Sequence, residues 1–412
     1  MNIGLPENWK VKNLGDLVEK QTIKARPQDF PDAKFIGMDC IEPHTMRPTF
    51  LYDFKEFKSA GNYFEAGQVL YGRMRPYLNK VYKADFNGAC SGEFIVLECT
   101  KSFSPDLLRY ILHSRGFVRF VNEKTSGDRP RVSFDEISDY PILLPPIDEQ
   151  ERIVAKIEEL FSELDTGVES LKKAQAQLKT YRQAVLKAAF EGKLTNENII
   201  DGELPNGWSL TKIVDLAKSE KHALKAGPFG SSLKKEFYVE SGYKIYGQEQ
   251  VINGNLFFGD YYISDEKYEE LKSNRIQPGD VLISLVGTVG KVLVLPENAV
   301  PGIINPRLIK ISLNRDIYLP SFFKYYFESS TVKSFYGSKA QGTTMDVLNL
   351  GIIKTIPFPL CSIDEQQRIV EEIESRLSVC DKLEETIAAS LKQSEALRQS
   401  ILKQAFEGKL IQ

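Results

Sequence analysis

Ile147-Asp148-Glu149-Gln150 opens a stretch that closes with Ala189-Phe190-Glu191-Gly192-Lys193-Leu194, and this stretch occurs twice in the chain. The second copy opens with Ile363-Asp364-Glu365-Gln366 and closes with Ala405-Phe406-Glu407-Gly408-Lys409-Leu410. Both ends are displaced by the same 216 residues (363 − 147 and 405 − 189), so the copies align without a gap. The first copy has no proline, which predicts one long helix at 147–190 and a second from 363 to about 406. A chain that repeats its connecting helices in this way is built to hold two related domains.

The repeated helices divide the chain into four blocks. We expect an N-terminal domain at 1–146, a first repeat segment at 147–194, a C-terminal domain at 195–362 and a second repeat segment at 363–412. The two mixed blocks share sequence markers, since Gly67-Gln68-Val69-Leu70 matches Gly279-Asp280-Val281-Leu282. They diverge between such markers, as two recognition domains of different specificity would, although drift after an old duplication is an alternative.

Apolar residues recur in heptads along both repeat segments. Alternating spacings of three and four residues give a narrow stripe that is buried against another helix. The predicted packing residues are Ile153, Ile157, Leu160, Leu164, Leu171, Leu178 and Val185 in the first segment, and Ile369, Ile373, Leu383, Ile387, Leu397 and Ile401 in the second. Small or polar members of the stripe, such as Gly167 and Arg376, leave room for further partner helices.

Short connections require the two helices to run antiparallel. About 42 helical residues at 1.5 Å each give a rod of about 60 Å, with one domain expected at each end. The predicted fold class is therefore α+β: two globular domains separated by two long helices that pack as an antiparallel coiled coil, with an internal pseudo-twofold repeat.

Length and composition set broad limits. A chain of 412 residues exceeds one ordinary core, and 42% hydrophobic with 26% charged residues is typical of soluble globular proteins. The net charge of −3 excludes a wholly cationic molecule, so any anion-binding surface is local. Five cysteines without a C-x-x-C pair indicate reduced thiols and a cytoplasmic location. We expect no signal peptide at Met1-Asn2-Ile3-Gly4-Leu5-Pro6 and no membrane span.

Motifs for catalysis fail on inspection. Gly287-Thr288-Val289-Gly290-Lys291 has the wrong glycine spacing for a phosphate loop, and no Ser or Thr follows the lysine. Asn305-Pro306-Arg307 lacks the second proline and the aromatic residue of the motif that amino methyltransferases carry. The three histidines, His44, His113 and His222, have no metal-ligand spacing. We therefore expect no catalytic residues, no metal site and no cofactor.

The chain resembles the specificity subunit of type I restriction–modification systems over nearly its whole length. The resemblance rests on the two near-identical helices and on Leu143-Leu144-Pro145-Pro146 before the first one. The stretch before the second, Pro357-Phe358-Pro359-Leu360-Cys361-Ser362, departs from that pattern with one proline moved. Gly227-Pro228-Phe229-Gly230-Ser231-Ser232 also resembles a stretch common in these recognition domains, and the first domain lacks a copy.

This resemblance implies a DNA-reading subunit without catalysis of its own. Each target-recognition domain is expected to read one half of a split, asymmetric site in double-stranded DNA. The helices set the spacing and carry two methyltransferase subunits, restriction endonuclease subunits join the complex, and adenine methylation from S-adenosylmethionine belongs to the partners. The alternative, which fits the overall negative charge, is a non-catalytic protein–protein scaffold with two binding domains on a helical spacer.

Base reading needs Arg, Lys, Asn or Gln in a groove, and phosphate contacts fix the register. In the first domain, the polar loop 124–131 and the loop 73–77 fit these needs; in the second, the loop 338–344 and the region around 225–235 do. The predicted DNA-binding residues are Lys124, Arg129, Arg131, Arg73, Arg75 and Tyr77 in the first domain, and Lys225, Ser231, Lys234, Lys339, Gln341, Thr343 and Thr344 in the second. An ordinary charged surface turn is the alternative for each loop.

Overall fold

The computed structural model describes residues 8–196, 199–200, 202–339 and 348–411. Contacts divide the chain into two compact units. Unit 1 comprises the residues up to Lys172 and those from Ile387 onward, and unit 2 comprises Lys173–Thr386. Each unit therefore holds one mixed domain, part of one repeat helix and part of the other. No helix in these described ranges is long and apolar enough to cross a membrane.

Unit 1 contains short strands, three short helices and the start of a long one. Its strands are β1 Lys10–Asn13, β2 Val18–Gln21, β3 Lys24–Ala25, β4 Lys34–Ile36, β5 Tyr52–Asp53, β6 Gly61–Phe64, β7 Val69–Gly72, β8 Val81–Lys83, β9 Gly88–Cys90, β10 Phe94–Cys99 and β11 Pro141–Leu144. Its helices are α1 Pro105–His113, α2 Arg115–Glu123, α3 Phe134–Ser138 and the first part of α4 Ile147–Phe190.

Unit 2 repeats this pattern of elements. Its strands are β12 Ser209–Thr211, β13 Leu224–Ala226, β14 Tyr243–Tyr246, β15 Tyr262–Ile263, β16 Val281–Ser284, β17 Val292–Val294, β18 Gly302–Ile304, β19 Leu308–Ile311 and β20 Phe358–Leu360. Its helices are α5 Ile213–Leu216, α6 Gln248–Asn253, α7 Asp265–Glu270, α8 Pro320–Phe327, α9 Ser330–Lys339, α10 Leu350–Ile353 and the first part of α11 Ile363–Phe406, which ends in unit 1.

The two domains share one sheet topology. The order β2-β10-β7-β8 in unit 1 corresponds to β13-β19-β16-β17 in unit 2, and the pair β1-β11 corresponds to β12-β20. The parallel pair β4-β9 also has a parallel counterpart in β14-β18. Around these pairs the units differ, because the sheet has five strands in unit 1 and three in unit 2. The α+β class and the internal repeat are confirmed, and the divergence lies outside the shared scaffold.

In each unit the two long helices share a hydrophobic core with the domain. In unit 1 the start of α4 lies with the end of α11, and the buried residues that join them are Ile153, Val154, Ile157, Phe161, Ile401, Leu402 and Ala405. In unit 2 the end of α4 lies with the start of α11, through Val185, Leu186, Ala189, Phe190, Ile369, Val370 and Ile373. The helices therefore pair antiparallel, as expected. The rod length and the position of a domain at each end stay predictions.

Most of the predicted packing residues are buried, but one row of the heptad was placed wrongly. Ile153, Ile157, Val185, Ile369, Ile373, Ile387 and Ile401 are buried. Leu160, Leu164, Leu171 and Leu178 are half-buried. The prediction was wrong for Leu383 and Leu397, which are 46% and 52% exposed.

The reason is a shift of one position in that row. Phe161 lies four residues after Ile157, where the prediction placed Leu160 three residues after it. Arg398 lies three residues before Ile401, where the prediction placed Leu397 four residues before it. Glu384 and Arg398 follow Leu383 and Leu397 and are the half-buried members. Because these positions carry charges that pair across the helices, a count of apolar residues misses the row.

Each long helix ends in the same way. The amide of Lys193 donates to the carbonyl of Ala188 at 2.8 Å, and that of Gly192 donates to Ala189 at 3.1 Å. This pair of backbone hydrogen bonds to the last turn requires a residue in the left-handed conformation, and Gly192 has φ +76°. Gly408, with φ +71°, repeats the arrangement at the end of α11. The repeated Phe-Glu-Gly-Lys sequence is thus a helix stop.

Each long helix also begins on a buried glutamine. The Gln150 side-chain amide donates to the carbonyls of Ser102 and Pro145, both at 2.9 Å, and accepts from the amide of Ser104 at 2.9 Å. Gln366 makes the same three bonds in unit 2, with Ile317, Cys361 and Leu319, at 2.8–3.0 Å. Both glutamines are fully buried. They fix the start of each helix to a loop of its own domain.

Candidate nucleic-acid interface

The two predicted loops of the first domain lie side by side. The amide of Arg75 donates to the carbonyl of Pro130 at 2.7 Å, and that of Val132 donates to Arg73 at 3.1 Å. The amide of Arg73 donates to the carbonyl of Glu93 at 2.9 Å. The structure thus brings the loops 73–77 and 124–131 into one surface, although about 50 residues separate them in sequence.

On this surface, two of the predicted residues are exposed, and two others have a buried side-chain nitrogen without a partner among the described residues. Tyr77 is 43% exposed, and Arg129 is exposed with no ion pair to any described residue. Arg73 and Arg75 are half-buried, and the Nε atom of each lacks an acceptor in the described structure. Arg75 also has a left-handed backbone (φ 51°), which costs on the order of 1 kcal/mol and is typical of binding sites.

The other two predicted residues of the first domain already have partners. Arg131 forms a two-pronged ion pair with Glu93, with N–O distances of 3.0–3.2 Å, and this contact raises the pKa of Arg131. Lys124 lies 3.3 Å from Asp139 and sits over the ring of Phe120 at 4.6 Å. Both cations must give up part of these contacts before they can bind a phosphate.

In the second domain, the side chains of four of the seven predicted residues cannot be placed. Gln341, Thr343 and Thr344 lie outside the described residues, as does the side chain of Lys339, whose backbone ends α9. Ser231 is exposed in the short 3-10 turn Gly230–Ser232. Lys234 is exposed and lies 3.5 Å from Glu236.

Lys225 is half-buried and lies on a strand beside an internal polar network. It is opposite Lys310 in the β13–β19 pair. Lys310 is buried 3.9 Å from Asp280, which accepts from the Ser312 hydroxyl at 2.6 Å. Burial lowers the pKa of Lys310 and raises that of Asp280, so desolvation outweighs their mutual attraction. The positive charge of Lys225 lowers the pKa of Lys310 further.

Three residues of the second domain that the prediction missed are exposed or lack partners. Phe229 is 87% exposed. The Oε1 atom of Gln248 is buried and has no hydrogen-bond donor within the described structure. Arg307 is exposed, and its carbonyl accepts from the amide of Leu285 at 3.0 Å, as Glu93 accepts from Arg73 in the first domain.

Arg307 therefore occupies the position of Glu93, with opposite charge. The sequence does contain a signal for these residues, because two turn motifs lie next to strand ends. Gly227–Ser232 directly follows β13, and Asn305–Arg307 directly precedes β19. As an incomplete methyltransferase motif, Asn305-Pro306-Arg307 gives no indication of this position.

Burial shifts the pKa values of several cysteines and one histidine. The described residues contain no group of three or more His, Cys, Asp or Glu residues placed to hold a metal ion. Burial raises the pKa of Cys90, Cys99 and Cys361 to about 12, which keeps these thiols protonated. Burial also lowers the pKa of His113 to about 4.

Comparison with known families gives a match across most of the chain. The family model described as "Type I restriction modification DNA specificity domain" matches residues 6–177 and 205–393. These two segments carry the two domains that share a topology, together with large parts of both long helices.

Individual relatives are more distant. The chain is 26% identical over 316 residues to the EcoBI specificity subunit of Escherichia coli, covering 73% of this chain and 65% of that protein. It is 29% identical over 217 residues to the EcoDI specificity subunit of Escherichia coli, covering 51% and 49%. The chain thus spans less than two thirds of the length of these two relatives.

Two solved structures share the fold. A chain from work on "complex assembly and conformational transition of the type I R-M system" aligns with a TM-score of 0.80 and 20% identity, covering 98% of this chain and 99% of that chain. The HsdS subunit from Thermoanaerobacter tengcongensis aligns with a TM-score of 0.60 and 21% identity, covering 99% and 100%. At this identity the likeness establishes the fold alone.

Proposed function

Because this chain belongs to the family defined by the type I restriction modification DNA specificity domain, we propose that it is the sequence-specific DNA-binding subunit of a type I restriction–modification complex. Each domain reads one half of a bipartite, asymmetric site in double-stranded DNA. The long helices set the spacing and dock two methyltransferase subunits, and restriction endonuclease subunits join the full complex in the cytoplasm. The chain itself is non-catalytic and confers specificity on these partners.

The observation that supports two unequal half-sites is the exchange of charge at one equivalent position. Glu93 neutralises Arg131 in the first domain, whereas Arg307 stands at the same place in the second without an ion pair to the described residues. A shared scaffold with different polar groups at one position presents different donors to a groove. Since both domains are in one chain, no symmetry forces the two half-sites to be alike.

Docking of partner subunits is supported by apolar side chains that the helix pair leaves uncovered. Tyr181, Val379, Leu383 and Leu397 are 45–57% exposed on α4 and α11. Tyr181 and Leu397 are equivalent in the repeat, because they are 216 residues apart. An apolar position kept exposed on both copies is typical of an interface for a repeated partner.

The test is selection from a pool of randomised duplexes of about 30 base pairs, which is long enough for two half-sites one helical turn apart. The purified full chain, alone and with a methyltransferase subunit, is expected to enrich a split asymmetric sequence and to bind more weakly as salt rises. Arg129→Ala should weaken binding at one half-site only. Arg26→Ala, which removes an exposed arginine elsewhere in the same domain, is the matched control.

Each other outcome has a clear meaning. Binding that ignores sequence, combined with capture of protein partners, would favour the scaffold alternative. An equal loss at both half-sites on Arg129→Ala would contradict one domain per half-site. Cleavage or methyl transfer by the purified chain alone would overturn the non-catalytic assignment.

A further inference from the structure

The backbone around Phe229 is fixed, while the ring itself is free. The amide of Gly227 donates to the carbonyl of Leu308 at 2.9 Å, and that of Ser232 donates to Phe229 at 2.8 Å. Pro228 on one side and Leu233 on the other are buried. A large apolar side chain held in solvent by a rigid loop loses little conformational freedom when it binds a ligand.

The same loop lies directly against the turn that carries Arg307. A Cβ atom added at Gly227 would be 1.9 Å from the carbonyl oxygen of Asn305 and 2.9 Å from Cα of Pro306. Only glycine allows this close approach. The contact places Phe229 and Arg307 on adjoining turns at one edge of the domain.

Polar and cationic groups surround these turns. Arg307 and Lys235 are exposed, and no ion pair joins either of them to the described residues. Gln248 begins α6 directly after Gly247, whose added Cβ atom would lie 2.8 Å from the side-chain nitrogen of Asn305. No described residue donates a hydrogen bond to the buried Oε1 atom of Gln248. An exposed ring, free cations and an unsatisfied amide in one place fit a nucleic acid better than an apolar protein surface.

We propose that Phe229 is a base-contacting wedge of the second domain, whose ring inserts at one base step while Arg307 binds an adjacent phosphate. This inference rests on the proposed function and deepens it. Apolar side chains inserted at a base step unstack it and kink the duplex, so they select steps that deform easily. The first domain has no copy of the Gly227–Ser232 stretch, so only one half-site is read in this way.

The experiment uses the full chain and the duplex that wild type selects from the randomised pool. Phe229→Ala is expected to lower affinity about 10- to 100-fold, in line with the loss of one base–aromatic contact, and to relax preference in one half-site. Phe229→Trp is expected to retain most of the affinity. Phe257→Ala is the matched control, because Phe257 is an exposed phenylalanine (64%) of the same domain. It follows the C-terminal end of α6, whereas Gln248 begins that helix.

A second readout follows the wedge itself. 2-Aminopurine is placed at each position of that half-site in turn, and its fluorescence is measured. The fluorescence should rise at one base step with wild type and with Phe229→Trp, and stay quenched with Phe229→Ala. If wild type selects a split site and Phe229→Ala binds it equally well, the wedge is overturned while the proposed function stands.

Two further outcomes complete the test. If wild type shows no sequence preference, the proposed function fails first, and the wedge falls with it. If Phe229→Ala keeps its DNA preference but loses association with a methyltransferase subunit, the ring belongs to a protein interface and the wedge is overturned.

Discussion

The guanidinium group of Arg182 lies 2.5 Å from a carboxylate oxygen of Asp381, and Arg398 makes the equivalent contact with Asp165. Each pair joins α4 to α11 within one unit, and the two pairs are related by the 216-residue repeat. Arg182 also contacts Glu384 at 3.1 Å, whereas Arg398 lies over the ring of Phe161 at 4.3 Å. The duplicated helices have thus kept a polar cross-helix contact as well as an apolar stripe.

We expect Arg182→Met to destabilise unit 2 by about 1 kcal/mol, since the arginine is mostly covered but its acidic partners are exposed. Hydrogen exchange should rise in 173–190 and 363–386 and stay unchanged in unit 1. Arg398→Met should produce the mirror result. Arg152→Met, an exposed arginine on α4, is the control. Equal loosening of both units by one substitution would contradict the pairing.

Gln366→Leu should be more costly. It removes the partners of three backbone groups, two carbonyls and one amide, in a site with no access to water. At about 1 kcal/mol for each lost partner, unit 2 should lose about 3 kcal/mol. Urea unfolding followed by local hydrogen exchange measures this loss, and Gln367→Leu, at the exposed neighbour, should be nearly neutral. A neutral Gln366→Leu would show that water can replace the anchor.

Substitutions at two leucines, one packed against the core and one exposed, distinguish folding from partner docking. Leu164 packs against the core of unit 1, so Leu164→Asp should cost about 2–3 kcal/mol there. Leu397→Asp should leave the melting temperature nearly unchanged, because Leu397 is already 52% exposed, yet weaken binding of a methyltransferase subunit. Thermal melting and co-purification distinguish the two effects. Intact assembly after Leu397→Asp would place partner docking elsewhere.

The structure predicts acid sensitivity in unit 1. His113 is buried, and its Nδ1 atom has no hydrogen-bond partner in the described part of the chain. Its pKa falls from 6.5 to about 4, chiefly by desolvation and further by the nearby His44 and Arg398. The unfolded chain therefore binds a proton between these pH values that the folded chain does not. Stability is complete above pH 6.5 and is lost as pH falls towards 4, by about 2 kcal/mol between pH 7 and 5.

Urea unfolding at several pH values measures this dependence. His113→Gln should flatten the slope between pH 5 and 7, even though it lowers stability at pH 7. His222→Gln is the control: the pKa of His222 is also lowered, chiefly by desolvation, but His222 lies in unit 2, so the acid sensitivity of unit 1 should stay unchanged. An unchanged slope in His113→Gln would assign the acid sensitivity to carboxylates.

The long helices could be predicted because their signals are local. Heptad spacing, the absence of proline and the identical offset at both ends require no knowledge of distant contacts. The sheet orders could not be predicted, because pairings such as β2 with β10 join segments that are far apart in sequence. The misplaced row of the stripe has a physical cause, since Glu384 and Arg398 occupy inward positions through ion pairs that hydrophobicity does not reveal.

The candidate interface was predictable only in part for the same reason. Composition pointed to the loops 73–77 and 124–131, but not to their contact through Arg75 and Pro130. It also could not show that Arg131 is neutralised by Glu93, 38 residues earlier. The exposure of Phe229 depends on Gly227 lying against a turn almost 80 residues later, and no local pattern reports that approach.

The matching C-terminal ends of the two long helices have a consequence for the order in which the two halves can be connected. Leu194 packs in the same cluster as Trp208, and Leu410 packs in the same cluster as Trp9. In the first case a short connector joins the two residues; in the second they lie 401 residues apart in the sequence (410 − 9). A circular permutant that begins and ends between Leu194 and Trp208, with a similar peptide joining Leu410 to Trp9, should therefore fold to the same contacts. The order of the two halves along the chain would then be interchangeable.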